Sequence, residues 1–120
     1  MGAHISKVLV NKNISCSLYG TCRQIDAISK IVDLNKIKMY KGDILDYTRL
    51  ETVIKENNID HIIHTAGPRA TQCRKHDYTN DPDNGIRVHT MGTSNVLEAA
   101  RKLDIKRVIY TSTGSVYLAN

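Results

Sequence analysis

Residues 84–117 read NGIRVHTMGTSNVLEAARKLDIKRVIYTSTGSVY, and this stretch decides the fold. Its first part, residues 86–103, reads as an amphipathic helix. A short basic turn follows. Residues 107–112 then form a strand centred on Val108 and Ile109, and the strand runs into the hydroxyl cluster Thr111, Ser112, Thr113 and Ser115. A helix returning directly to a β-branched strand is the unit of a parallel sheet.

Upstream, the same alternation repeats. Residues 3–12 place Ile5, Val8 and Leu9 on one helical face, which should pack on a sheet, and Asn11 and Asn13 can end that helix. Residues 14–22 read as a strand, and 37–40 as a short one closing at the Gly42 turn. Residues 25–34 fit a short helix or a loop. Asp46 is an N-cap without a capping box, because Arg49 stands where Glu would complete it. Leu50, Val53 and Ile54 form the buried face of the next helix, which Asn57 and Asn58 stop. Residues 61–65 form a strand whose Ile62-Ile63 pair suits a position covered on both faces. Residues 67–85 are polar, carry both prolines and read as a loop.

The 120 residues suffice for one domain. Hydrophobic residues at 41% and charged ones at 24% describe an ordinary globular composition. The net charge of +5 suits phosphate ligands, but the basic residues are scattered rather than run together, so no nucleic-acid partner is expected. Three cysteines, Cys16, Cys22 and Cys73, without a C-x-x-C pair, point to reduced thiols and a cytoplasmic setting. No apolar run approaches membrane-spanning length, so no membrane partner is expected either. His61 and His64, with Cys73 and His76, superficially offer zinc ligands. Residues three apart on a strand point to opposite faces, however, so no metal site is expected. No G-x-S-x-G elbow supports reading the serines as a hydrolase set.

GDILD (residues 42–46), HIIHTAG (61–67) and the 84–117 stretch together resemble the extended short-chain dehydrogenase/reductases, the NAD-dependent epimerase/dehydratase family. The helix matches the family's V-N-x-x-G-T-x-N-L-L-E-A-A pattern through Val88, Gly92, Thr93, Asn95, Val96, Leu97, Glu98, Ala99 and Ala100, with His89 where Asn is usual. The resemblance implies an α/β, Rossmann-like parallel sheet with flanking helices, incomplete because the first strand and a C-terminal substrate region are missing. Residues 1–120 would then be a single partial dinucleotide-binding domain. Gly2 would be the third glycine of the phosphate loop, at a helix N-terminus that attracts an anion. Asp43 and Ile44 would flank adenine, although a turn aspartate looks the same. Ala66 and Gly67 would let the backbone approach the cofactor. Arg23 is either a reader of the NADP 2′-phosphate or an exposed loop arginine, so the cofactor is NAD(P), with NADP favoured over NAD. Thr113 falls on the catalytic Ser/Thr position.

No tyrosine in the chain has a lysine four residues later, so the family's Tyr-x-x-x-Lys acid/base pair is absent. Two functions follow from the resemblance. One is an NAD(P)-dependent oxidoreductase acting on a hydroxyl or carbonyl of a small polar, sugar-like or hydroxyketone substrate. The other is a catalytically inactive nucleotide-binding or interaction remnant. Without its central strand, the sheet should either close up between its second and fourth strands, take a different order, or assemble as a homo-oligomer.

Overall fold

The computed structural model describes residues 1–21, 25–67 and 82–112. Along the chain come α1 (Gly2–Asn11), β1 (Ser17–Gly20), α2 (Ile25–Ser29), a 3-10 turn (Leu34–Lys36), β2 (Lys38–Lys41), α3 (Tyr47–Glu56) and β3 (His61–His64). α4 (Pro82–Arg87), a π-helical turn (Val88–Gly92), α5 (Thr93–Lys102) and β4 (Arg107–Tyr110) complete the described elements. The architecture is α/β, as the strand–helix alternation requires.

Helix ends follow local chemistry. Asp46 accepts from the Arg49 N–H at 3.0 Å and starts α3 as an N-cap. Three helices stop the same way, each two residues before a non-glycine residue in the left-handed region: Asn13 (φ 57), Asn58 (φ 49) and Asp104 (φ 51). The next residue's N–H then reaches back to the last turn, from Ile14 to Leu9, Ile59 to Ile54 and Ile105 to Ala100. An apolar residue follows each stop: Ile59 and Ile105 turn back onto the core, while Ile14 stays exposed.

The core lies between α3 and α5. Leu50, Ile54, Val96 and Ala99 form its buried centre. Tyr19 from β1, Ile62 from β3 and Val108 from β4 pack onto that same cluster, so both halves of the sheet rest on one helix layer. The pair is also joined at its surface, where the Lys102 ammonium sits 5.1 Å over the Tyr47 ring and Tyr47 donates to Glu51.

Five expectations change. β1 and β2 pair in parallel, Ser17 with Lys38 through Gly20 with Lys41, and β3 and β4 pair in parallel, His61 with Arg107 through His64 with Tyr110. Among the described residues the two sheets do not join, so the direct closure between β1 and β3 does not occur. The polar segment expected to be a loop as far as Gly85 is helical from Pro82, which suits the first helical turn because its missing N–H would be unpartnered there; residues 68–81 lie outside the described residues. The helix expected at 86–103 is interrupted by the π turn at Val88–Gly92. In α1 the buried residue is Ser6, while Val8 is 53% exposed, because the face that meets β1 runs through Ile5, Ser6 and Leu9. Ile63, expected to be covered on both faces, is 37% exposed.

No helix among the described residues is long and apolar enough to cross a membrane. The core assignment gives a direct test. Leu50→Ala should cost about 2–5 kcal/mol in denaturant unfolding, since it empties the seam between α3 and α5. Leu97→Ala, on the exposed side of α5, should change stability by less than about 0.5 kcal/mol. Equal losses would place the core elsewhere.

Candidate nucleotide-binding site

The predicted site residues that the structure describes gather at one end of the strands. The Met1 carbonyl accepts from His4 and Ile5, which leaves the Gly2 and Ala3 N–H groups at the open start of α1. No side chain caps that end and no acidic residue lies in its first turn. The helix dipole therefore makes it locally electropositive. A side chain at Gly2 would stand 3.3 Å from Thr65 Oγ1 and 3.5 Å from Leu18 Cδ1. Gly2 thus sits beside the segment that runs from β3 into Ala66 and Gly67.

Gly67 is covered in turn by the π turn. A Cβ there would lie 3.0 Å from Cε1 of His89, so any larger residue would displace the imidazole. Three residues on, Gly92 makes an even closer approach, because a Cβ on it would lie 2.7 Å from Cγ2 of Ile44. Asn95, one turn further, donates from Nδ2 to the Ile44 carbonyl at 3.0 Å and to the Leu45 carbonyl at 3.3 Å. The 43–45 turn is therefore clamped onto the start of α5.

Asp43 performs the turn role that the sequence left open. Its Oδ1 accepts from the Leu45 N–H at 2.9 Å, and its own carbonyl accepts from the Tyr19 hydroxyl at 2.9 Å. The same ring explains Gly42, where any Cβ would run into Tyr19. Burial, and then the Asp46 carboxylate, push the Tyr19 phenol above its ordinary range, so it stays a neutral donor. Beside this turn opens a cleft of about 980 Å³ with apolar walls from Ile25, Leu34 and Met39 and with Lys41, Asp43 and Arg49 at its polar margin.

Deeper in the fold, His64 is 4% exposed and its Nε2 lies 3.1 Å from Thr93 Oγ1, with the Tyr110 ring 5.1 Å away. Burial first, and the neighbouring His89 second, hold its imidazole below the usual histidine range. His61 occupies the opposite, exposed face, as a spacing of three on a strand requires. Cys73 and His76, the other superficial zinc ligands, lie outside the described residues, as do Arg23 and Thr113. Sequence reasoning missed Tyr19, Lys41 and the clamp made by Asn95. Only Lys41 left a local signal, a cation immediately before the GDILD turn.

Two outcomes follow from this geometry. Gly92→Ala should destabilise the fold by about 1–3 kcal/mol through overpacking against Ile44, and Ile44→Ala in the same chain should recover part of the loss; a Gly92→Ala chain melting like the parent would remove the close approach. For His64, the unfolded chain takes up a proton near pH 6.5 while the folded chain resists it to lower pH. Stability should therefore be level above that pH and fall below it, by at most about 1.4 kcal/mol per pH unit. Denaturant midpoints for the parent and His64→Gln across pH 5 to 8 test this, since the variant should lose the slope.

Comparison with known proteins agrees with the geometry. The profile of the NAD dependent epimerase/dehydratase family matches residues 1–119. A dTDP-D-glucose 4,6-dehydratase of Dictyostelium discoideum is 28% identical over 98% of this chain, which corresponds to 27% of that protein. Cinnamoyl-CoA reductase 1 of Petunia hybrida is 34% identical over 69% of the chain and 22% of its own length. Among solved structures, a UDP-glucose 4-epimerase superposes with a TM-score of 0.81 at 23% identity, covering 98% of this chain and 34% of its own. The UDP-glucose 4-epimerase of Bifidobacterium longum, solved with NAD+ and UDP, gives 0.76 at 26% identity over 97% of this chain and 35% of its own. The chain spans about a quarter to a third of the length of the proteins it matches end to end. With residues 1–119 matched and the sheet, helices and turn contacts in place, the chain belongs to the NAD-dependent epimerase/dehydratase family.

Proposed function

We propose that this chain binds NAD(P) across the ends of its strands and through it serves an oxidoreductase acting on a hydroxyl or carbonyl of a small polar, sugar-like or hydroxyketone substrate. The observation that carries the reading is the unbroken run of contacts from Gly2 through Thr65 to Gly67, and from His89 and Gly92 to Ile44 and Asp43. That rim joins an anion-attracting helix end to an apolar cleft with a fixed carboxylate. The dinucleotide-complexed relatives of similar fold support the assignment by analogy.

The residues present fit such a group. The open amides at Gly2 and Ala3 would receive a pyrophosphate oxygen. Ala66 and Gly67 would provide a floor without bulky side chains. The Asp43 carboxylate, already oriented by the Leu45 N–H, would accept from an adenine amino group while Ile44 packs on the ring. Arg23 would pair with a 2′-phosphate, which favours NADP over NAD. Thr113 would hold the substrate oxygen through its hydroxyl and is the proposed catalytic residue. The nicotinamide supplies the hydride chemistry when bound.

A second reading, a nucleotide-binding remnant without turnover, is favoured by one observation. None of the tyrosines at 19, 40, 47, 78 and 110 is followed four residues later by a lysine, so these positions supply no Tyr-x-x-x-Lys pair for proton transfer.

Affinity should be weak, because these 120 residues hold no G-x-x-G-x-x-G nest and one helix end does the work of three glycines. Calorimetry with NADH and NADPH in parallel should return dissociation constants in the high-micromolar range, roughly −5 to −6 kcal/mol. Asp43→Ala should weaken both, and Arg23→Ala should weaken NADPH more than NADH. Equal losses from Arg23→Ala would remove the 2′-phosphate role, and no binding of either cofactor at millimolar concentration would overturn the reading. Turnover of a reactive carbonyl should be slow and should fall in Thr113→Val. Binding without cofactor oxidation across a panel of sugars and hydroxyketones would select the second reading.

A further inference from the structure

Two helical layers meet at the exit of β3. Leu18 and Tyr19 are neighbours on β1, so their side chains point to opposite faces of the sheet. Leu18 lies 3.5 Å from a Cβ placed on Gly2, while Tyr19 packs on the cluster between α3 and α5. α1 therefore covers one face, and α3 and α5 the other. The segment leaving β3 touches both layers. Thr65 Oγ1 stands 3.3 Å from the Cβ position of Gly2, and two residues on, Cε1 of His89 stands 3.0 Å from that of Gly67. The strip 65–67 thus runs between the open amides of α1 and the His89 imidazole. Neither the first turn of α1 nor that of the π-helical segment carries an acidic residue. His89 is exposed, so a ligand lying on the strip can reach its ring.

The charges that surround this ring are few among the described residues. His64 of β3 is buried, and burial first and His89 second keep it neutral, with the Tyr110 ring of β4 against it. Arg87 ends α4 just ahead of the turn, and His4 and the Met1 amino group stand at the start of α1. Asp43 and Asp46, in the turn that Gly92 touches through Ile44, already accept from the Leu45 and Arg49 N–H groups. A histidine can gain a charge between pH 8 and pH 5. The asparagine usual at this place in the helix pattern has no proton to gain.

We propose, resting on the nucleotide-binding reading above, that His89 is a further binding residue for the cofactor, its imidazolium holding a diphosphate oxygen across the 65–67 strip from the α1 amides. The strip suits that part of a dinucleotide because it lies between the turn assigned to adenine and the end of β4. A diphosphate diester keeps its charge across this pH range, so a change in affinity comes from the protein. The bound anion favours the protonated ring, so binding strengthens as the pH falls.

The test titrates the full chain with ADP-ribose, a diphosphate diester without nicotinamide, by calorimetry at pH 8 and pH 6 and one ionic strength. The parent's dissociation constant should fall about three- to fivefold at pH 6, as an exposed ion pair allows. His89→Asn should bind at both values as the parent does at pH 8. His89→Lys, charged throughout, should bind at both as the parent does at pH 6. Contributions from His4, His64 and the Met1 amino group are common to the three chains and cancel in the comparison. Should a variant fail to fold, the parent alone decides: its His89 ring resonance, followed by NMR, should titrate at higher pH with ADP-ribose bound than without. A parent that binds equally at both values, an equal gain in His89→Asn, or a His89 titration that the ligand leaves unmoved would overturn the proposal and leave nucleotide binding standing. No binding of millimolar ADP-ribose by the parent would overturn both.

Discussion

Everything else in this chain depends on the seam where α3 meets α5. Leu50 and Ile54 of one helix and Val96 and Ala99 of the other are its centre, and Ala99 is fully buried. A small residue at that position lets the helix axes approach until their neighbours interlock. Both half-sheets lie on this seam rather than on one another. The sheet is thus held from below by helices, while a ladder between β1 and β3 contributes nothing among the described residues.

The same seam aims the candidate site. α5 continues upstream into the π turn, and Gly92 and Asn95 seize the 43–45 turn from the side. The grip on α3 therefore sets where Asp43 stands, because Asp46 caps that helix three residues later. Packing, capping and site placement form one mechanical unit. Residues that touch no ligand, Asn95 and Tyr19 among them, hold the geometry on which binding would depend.

Much of this was legible in the residues. Leu50, Val53 and Ile54 recur at helical spacing, and Asp46 and Asn58 are the residue types that start and stop a helix. These signals are local, and each survives whatever the rest of the chain does. Gly2, Asp43, Ile44, Ala66 and Gly67 were legible only through resemblance, since a glycine or a turn aspartate carries no chemistry of its own. What stayed hidden was decided by partners distant in sequence. Val8 and Ile63 are apolar and were read as buried, yet their exposure depends on which element lies opposite. Tyr19 reaches Asp43 across twenty-four residues, and Asn95 reaches Ile44 across fifty-one. No window of sequence contains either pair.

The π turn at Val88–Gly92 has a consequence for how this region tolerates change. A π turn carries one more residue than the α turn it replaces. In a continuous α-helix each added or lost residue rotates everything beyond it by about 100°. Here the wider turn absorbs that extra residue locally, so α4 and α5 each keep their own facing. Loss of one residue between 88 and 92 would convert the turn to α geometry and swing His89 from Gly67, or Gly92 from Ile44, but not leave both in place. The segment is thus a length gauge: a single codon lost inside it dismantles the contact between the two halves of the rim.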